Sequence, residues 1–223
     1  MGVIMKTIVI LYDGITGSTN LMSILNKNTY INVLPGYNPF GSGSNLNKDY
    51  IDNKISTINW SEEKINCFKF RYTGNPMIYG HTQYIVEKFD TFLILIRRNY
   101  FHHVLSELIK DKTDQANVKI NEVAKNIDPF LVNEKQFIDR INEKKHNIDV
   151  ILNILKVANK KYMLLDYDNL FEMETLNSMY DFFGCGGDGA YLGDYNKLNN
   201  VERYKKLIIN FNELEKIYEN LRK

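Results

Sequence analysis

A chain of 223 residues, 44% of them apolar, is long enough to bury one substantial core, and it is read as a single domain over residues 1–223. Its 28 basic and 27 acidic side chains leave a formal net charge of +1, which excludes the broad field of a nucleic-acid binder or of a protein held on an anionic membrane. Two cysteines and four scattered histidines form neither a disulfide framework nor a metal-ligand spacing, and no apolar run has the length of a signal core or a membrane span, so a cytoplasmic protein is expected.

Residues 6–21, KTIVILYDGITGSTNL, read as a buried strand, a tight turn and the start of a helix. Ile8, Val9, Ile10 and Leu11 form the short apolar run of a central parallel strand. Gly14 and Gly17 let the chain turn sharply and bring backbone N–H groups close to a ligand. Thr16, Ser18 and Thr19 add hydroxyls at the positive end of the helix dipole, an arrangement suited to a phosphate-like anion. A Walker A loop needs Lys immediately before its Ser or Thr; here Gly17 precedes Ser18 and no Lys occurs in residues 7–21. An ordinary strand-to-helix turn with a hydroxyl N-cap is the alternative reading.

Residues 30–34 read as a brief extended segment, and residues 35–47, PGYNPFGSGSNLN, as an irregular loop. Residues 48–60 suggest a weak helix. Residues 66–72 alternate Cys67, Lys69 and Arg71 against Phe68, Phe70 and Tyr72, the period of a half-buried strand. Residues 77–80 are read as a further strand, with His81 just beyond it and a short helix through Lys88. FLILI, residues 92–96, is the clearest buried strand, and it ends in Arg97, Arg98 and Asn99. A helix follows with Phe101, Val104, Leu105 and Leu108 on one side and Ser106 two turns in. Asn133 and Gln136 resemble a capping box that opens one long helix, core-facing at its two ends, up to Asn159. Residues 162–165 are a strand and residues 176–183 a helix stopped by Gly184; residues 184–193 are irregular and residues 201–221 form a terminal helical region. Trp60 and the many Tyr and Phe side chains are assigned to the core. Strands alternating with helices imply an α/β fold, a mainly parallel central sheet flanked by helices.

The glycine turn, Arg98–Asn99 with Ser106 eight residues after the arginine, MLLDYDNLFEMETLNSMYDFFG over residues 163–184, and Lys197 in KLNN together resemble the sulfotransferases that use 3′-phosphoadenosine 5′-phosphosulfate (PAPS). The resemblance runs from about Lys6 to the end, with residues 36–66 and 111–160 unmatched. It implies a P-loop-like three-layer fold. Thr16, Gly17, Ser18, Thr19 and Asn20 would then hold the 5′-phosphosulfate, with Arg98, Ser106 and Lys197 on the 3′-phosphate. It also implies transfer of a sulfuryl group to a hydroxyl or amine of a small molecule or carbohydrate, without a metal. His81 and Asp13 are the candidate bases, with Glu62 or Glu63 as competitors.

One departure stands out. Ile15 occupies the position where the family places Lys or Arg, and loss of one such charge-stabilising group typically costs roughly 10²–10³ in rate. Lys69, Arg71 and Arg97 are candidates to replace it. Without a replacement, the chain would be a catalytically weak or non-enzymatic nucleotide-binding protein. A P-loop-like kinase is disfavoured by the missing Lys.

Overall fold

The computed structural model describes residues 6–14, 16–40, 47–72, 76–114, 126–187 and 201–222. Five parallel strands form its centre: β1 (Thr7–Tyr12), β2 (Ile31–Val33), β3 (Ile65–Arg71), β4 (Thr91–Ile96) and β5 (Lys161–Asp166), in the order β2-β3-β1-β4-β5. β1 lies in the middle, which explains its unbroken apolar run, since both of its faces are covered. Between and after the strands come α1 (Ser18–Leu25), α2 (Lys48–Thr57), α3 (Pro76–Lys88), α4 (Tyr100–Thr113), α5 (Glu134–Val157), α6 (Met173–Phe183), α7 (Val201–Leu207) and α8 (Phe211–Asn220).

Strand alternation sorts the core into layers. Val9, Leu11, Phe68, Phe70, Phe92 and Ile94 pack with Ile51 of α2, Ile85 of α3 and the C-terminal half of α5. Ile8, Ile10, Cys67, Leu93 and Leu95 pack on the opposite face with α1 and α6. A third cluster joins α4, the N-terminal half of α5, α7 and α8 through Phe101, Phe137, Tyr204 and Phe211. The fold is therefore the expected three-layer α/β arrangement.

Two local expectations are corrected. Residues 77–80 are not a strand but the first turns of α3, with His81 inside the helix. Pro76 is the first helical residue, a place where its missing N–H costs nothing. β3 is not half-buried: Cys67 and Phe68 face opposite layers and both are fully covered, because β3 is an inner strand. The C-terminal helical region breaks at residues 208–210, where Ile208 bridges to Phe130. There Asn210 accepts from Val132 N at 3.1 Å and donates to Val132 O at 2.9 Å. Trp60 belongs to the core as read, and its indole N–H donates to Ile55 O at 3.0 Å.

Candidate functional site

The C-terminal ends of β1 and β4 lie side by side, with Tyr12 opposite Leu95. That register brings the turn after β1 next to the residues that leave β4. Ligands in open parallel sheets sit at this edge. Gly14 and Gly17 have φ of 65° and 71°, the left-handed region that favours glycine. Neither has room for a side chain. A Cβ on Gly14 would come within 2.1 Å of Glu107 Oε1, and one on Gly17 within 2.1 Å of the Tyr167 ring. Gly17 is the N-cap of α1 and supplies no side-chain bond, so the hydroxyl N-cap reading does not hold. Thr16 is buried, and its Oγ1 has no partner among the described residues. Ser18 and Asn20 are buried in the first turn of α1, and Ser23 Oγ donates to Asn20 O at 2.8 Å.

Past β4 the chain places its two arginines differently. Arg97 continues the parity of Leu93 and Leu95, is 4% exposed, and lies 5.2 Å above the Tyr167 ring. Its Nη1 donates to Ser106 Oγ at 2.9 Å and its Nη2 to Tyr204 Oη at 3.2 Å. Ser106 and Tyr204 are 2.7 Å apart. Arg98, whose side chain is 71% exposed, has its Nε 3.7 Å from Asp166. The arginine that meets Ser106 is thus Arg97 rather than the Arg98 expected from spacing. Asn99 caps α4 by accepting from His102 N at 3.1 Å.

Behind the turn lies a buried ionic cluster. Lys144 of α5 reaches Asp13 Oδ1 at 3.1 Å and Glu107 Oε1 at 2.8 Å, while Asn147 Nδ2 donates to Asp13 Oδ2 at 2.9 Å. Both oxygens of Asp13 are therefore engaged, which argues against its use as a free base. Burial opposes the charge of Lys144, but Asp13 and Glu107 outweigh it and hold its pKa above the ordinary lysine value. Burial raises Glu107, with Lys144 acting against that shift. His103 is 2% exposed and is pushed well below the usual histidine range, first by burial and then by the Lys144 and Arg97 charges. It is neutral at pH 7, and its Nε2 has no hydrogen-bond partner among the described residues.

Thr16, Tyr72, Arg97, Tyr100, His103 and Lys144 line one small cleft. Three buried polar atoms on its wall are unpartnered among the described residues: Thr16 Oγ1, Arg97 Nε and His103 Nε2. Buried polar groups normally find partners, and the space beside these three has room for a water or a small polar group.

On the α1 side of the sheet, Lys69 Nζ donates to Thr19 Oγ1 at 2.8 Å, and Arg71 is exposed. His81 is half-buried on α3, with its Nδ1 unpartnered among the described residues, and it does not line the cleft. Ile15 and Lys197 lie outside the described residues.

No protein-family model matches the chain, and no curated protein matches its sequence. Solved structures do match. The sulfotransferase domain from the Synechococcus PCC 7002 olefin synthase aligns with a TM-score of 0.50 at 14% identity, over 96% of this chain and 95% of that one. A sulfotransferase from Alicyclobacillus acidocaldarius aligns with a TM-score of 0.53 at 12% identity, over 95% of this chain and 93% of that one. The fold is that of the sulfotransferases. In this sulfotransferase fold no helix among the described residues is long and apolar enough to cross a membrane.

Three residues around the site were not reached from sequence, and of these Lys144 lines the cleft. Tyr167 and Tyr204 carry no local signal, since each meets the site only through tertiary contact. Lys144 did leave a trace: it fills the gap in the apolar spacing Phe137, Ile141, Ile148, Ile151, Leu155. A charge in a core register implies a buried partner.

Proposed function

We propose that this chain is a sulfotransferase that moves a sulfuryl group from PAPS to a hydroxyl of a small molecule or carbohydrate. The observation that carries the reading is that Thr16, beside the glycine turn, and Arg97, bonded to Ser106, line one cleft at the sheet edge, each with an unpartnered buried polar atom. Such donors at the sheet edge are chemically suited to the charged groups of an anion. The first turn of α1, with the Ser18 and Thr19 hydroxyls, would hold the 5′ end, because N–H groups and the helix dipole converge there. Arg97 and Ser106, joined by Lys197 on the family resemblance, would hold the 3′-phosphate; the guanidinium is suited to a charge-assisted bond. Bound there, PAPS supplies an activated sulfuryl group whose departure leaves adenosine 3′,5′-bisphosphate.

The chain's own work is to position the reactants and stabilise charge, the two effects that matter most in a loose in-line displacement. His103 Nε2 has no hydrogen-bond partner among the described residues and lies 3.8 Å from Glu107 Oε1, whereas Asp13 is tied to Lys144 and Asn147. The substitution of Ile15 for the family's cation favours a second reading, a nucleotide-binding protein without efficient turnover.

Thermal unfolding with adenosine 3′,5′-bisphosphate, Mg-ATP and GTP, followed by mass-spectrometric detection of sulfated product over an acceptor panel, tests both. The bisphosphate at 100 times its dissociation constant adds about 2.7 kcal/mol of stability. Stabilisation by Mg-ATP alone would overturn the proposal. Binding of the bisphosphate with no product from any acceptor would support the non-catalytic reading.

A further inference from the structure

We propose that Lys69 is the cation of the glycine turn, reaching it from β3 because the turn itself carries Ile15. The inference rests on the reading that this turn receives the 5′ end of the nucleotide.

Register sets the geometry. Lys69 stands opposite Ile10 of β1 and shares the parity of Cys67, so its side chain leaves β3 on the face covered by α1. Its Nζ ends 2.8 Å from Thr19 Oγ1, in the first turn of the helix that the glycine turn opens. Tyr12 and Tyr37 flank the ammonium, with ring centroids 5.3 and 5.7 Å away. These rings hold the charge in place without neutralising it.

No carboxylate approaches Lys69 within 4.0 Å among the described residues, whereas the buried Lys144 is paired with two. A half-buried ammonium without a counter-charge is costly in the unliganded protein. Burial indeed lowers its pKa to about 8. An incoming anion removes that cost, which makes Lys69 a discriminating contact rather than a permanent ion pair. The other candidate replacements are less suited: Arg71 is exposed, and Arg97 lies at the Ser106 end, assigned above to the 3′-phosphate. The groups facing the ammonium are Thr19 from α1, Tyr12 from β1 and Tyr37 from the loop after β2. Burial raises the Tyr12 phenol, so it stays neutral across the relevant range.

The test is calorimetric titration of the full chain and of the variants Lys69→Met and Lys69→Arg with two ligands, adenosine 3′,5′-bisphosphate and adenosine 3′-monophosphate. Lys69→Met should weaken the bisphosphate about tenfold to hundredfold, the usual weight of a bond to a charged group, and leave the 3′-monophosphate within about twofold. Lys69→Arg should retain affinity, and should keep it above pH 8, where the native protein loses it as the ammonium deprotonates. Unchanged bisphosphate affinity in Lys69→Met, or equal weakening of both ligands, would overturn the assignment while leaving the nucleotide reading standing. A native chain that binds neither nucleotide overturns that reading instead. Inorganic phosphate titrated into the same variants then decides Lys69 alone, by whether Lys69→Met abolishes its binding.

Discussion

His103 links the buried cluster to pH. Its folded pKa lies well below the ordinary 6.5, so its contribution to stability is complete above about that value and is lost as pH falls toward the folded pKa. Glu107, raised by burial, acts in the opposite direction: its contribution is present below the unfolded carboxylate value and lost as pH rises through the folded one. Urea unfolding from pH 7.5 to 5.0 should therefore show a pH slope of stability that differs between the native protein and His103→Gln, which keeps Glu107. The difference should approach about 1.4 kcal/mol per pH unit, one proton; identical slopes would mean that His103 already carries its proton in the fold. At this scale the sequence was partly readable. Arg97 and Arg98 are adjacent, and eight-residue spacing selects Arg98, yet the alternation Leu93, Leu95, Arg97 points to the residue that the fold buries. Strand parity, carried one step past the end of β4, identifies the arginine that bonds Ser106.

Among the elements, β3 bears the greatest contrast between pattern and environment. Lys69 and Arg71 alternating with aromatics suggest one wet face, but β3 is flanked by β2 and β1, and the wet-looking face lies beneath α1. On the other face Phe68 meets Phe40, Trp60 and Phe89 at ring-centroid separations of 5.4, 6.5 and 5.2 Å. Phe68→Ala should accordingly cost about 3–5 kcal/mol in denaturant unfolding, the range for emptying a fully buried aromatic site. A loss below about 1 kcal/mol would show that the layer can collapse into the gap. The long helix α5 was legible throughout, including its two apolar ends, because its spacing holds and Asn133 accepts from Gln136 N at 2.9 Å as a cap should. Its polar middle, Lys144 and Asn147, is where the two apolar layers part and the ionic cluster fits. The start of α3 was misread as a strand because a run of three or four apolar residues has no period of its own, whereas the helix through Lys88 was read.

For the molecule as a whole, parallel topology and layering followed from the alternation of elements, while the cleft depended on contacts between distant segments. Tyr204, fully buried on α7, touches Ser106 across 98 positions of sequence and donates to His102 O at 3.2 Å. Tyr204→Phe should lower stability by about 1–3 kcal/mol, since Ser106 and Arg97 each lose a partner inside the core. Equilibrium unfolding checks it, and no change would mean that water replaces the phenol. Tyr167 joins the remaining two parts. Its ring fills the space that a Gly17 side chain would need, and it carries the Arg97 guanidinium on its face. The turn and the arginine thus share one aromatic wall, so truncating that ring would remove packing from both of them at once.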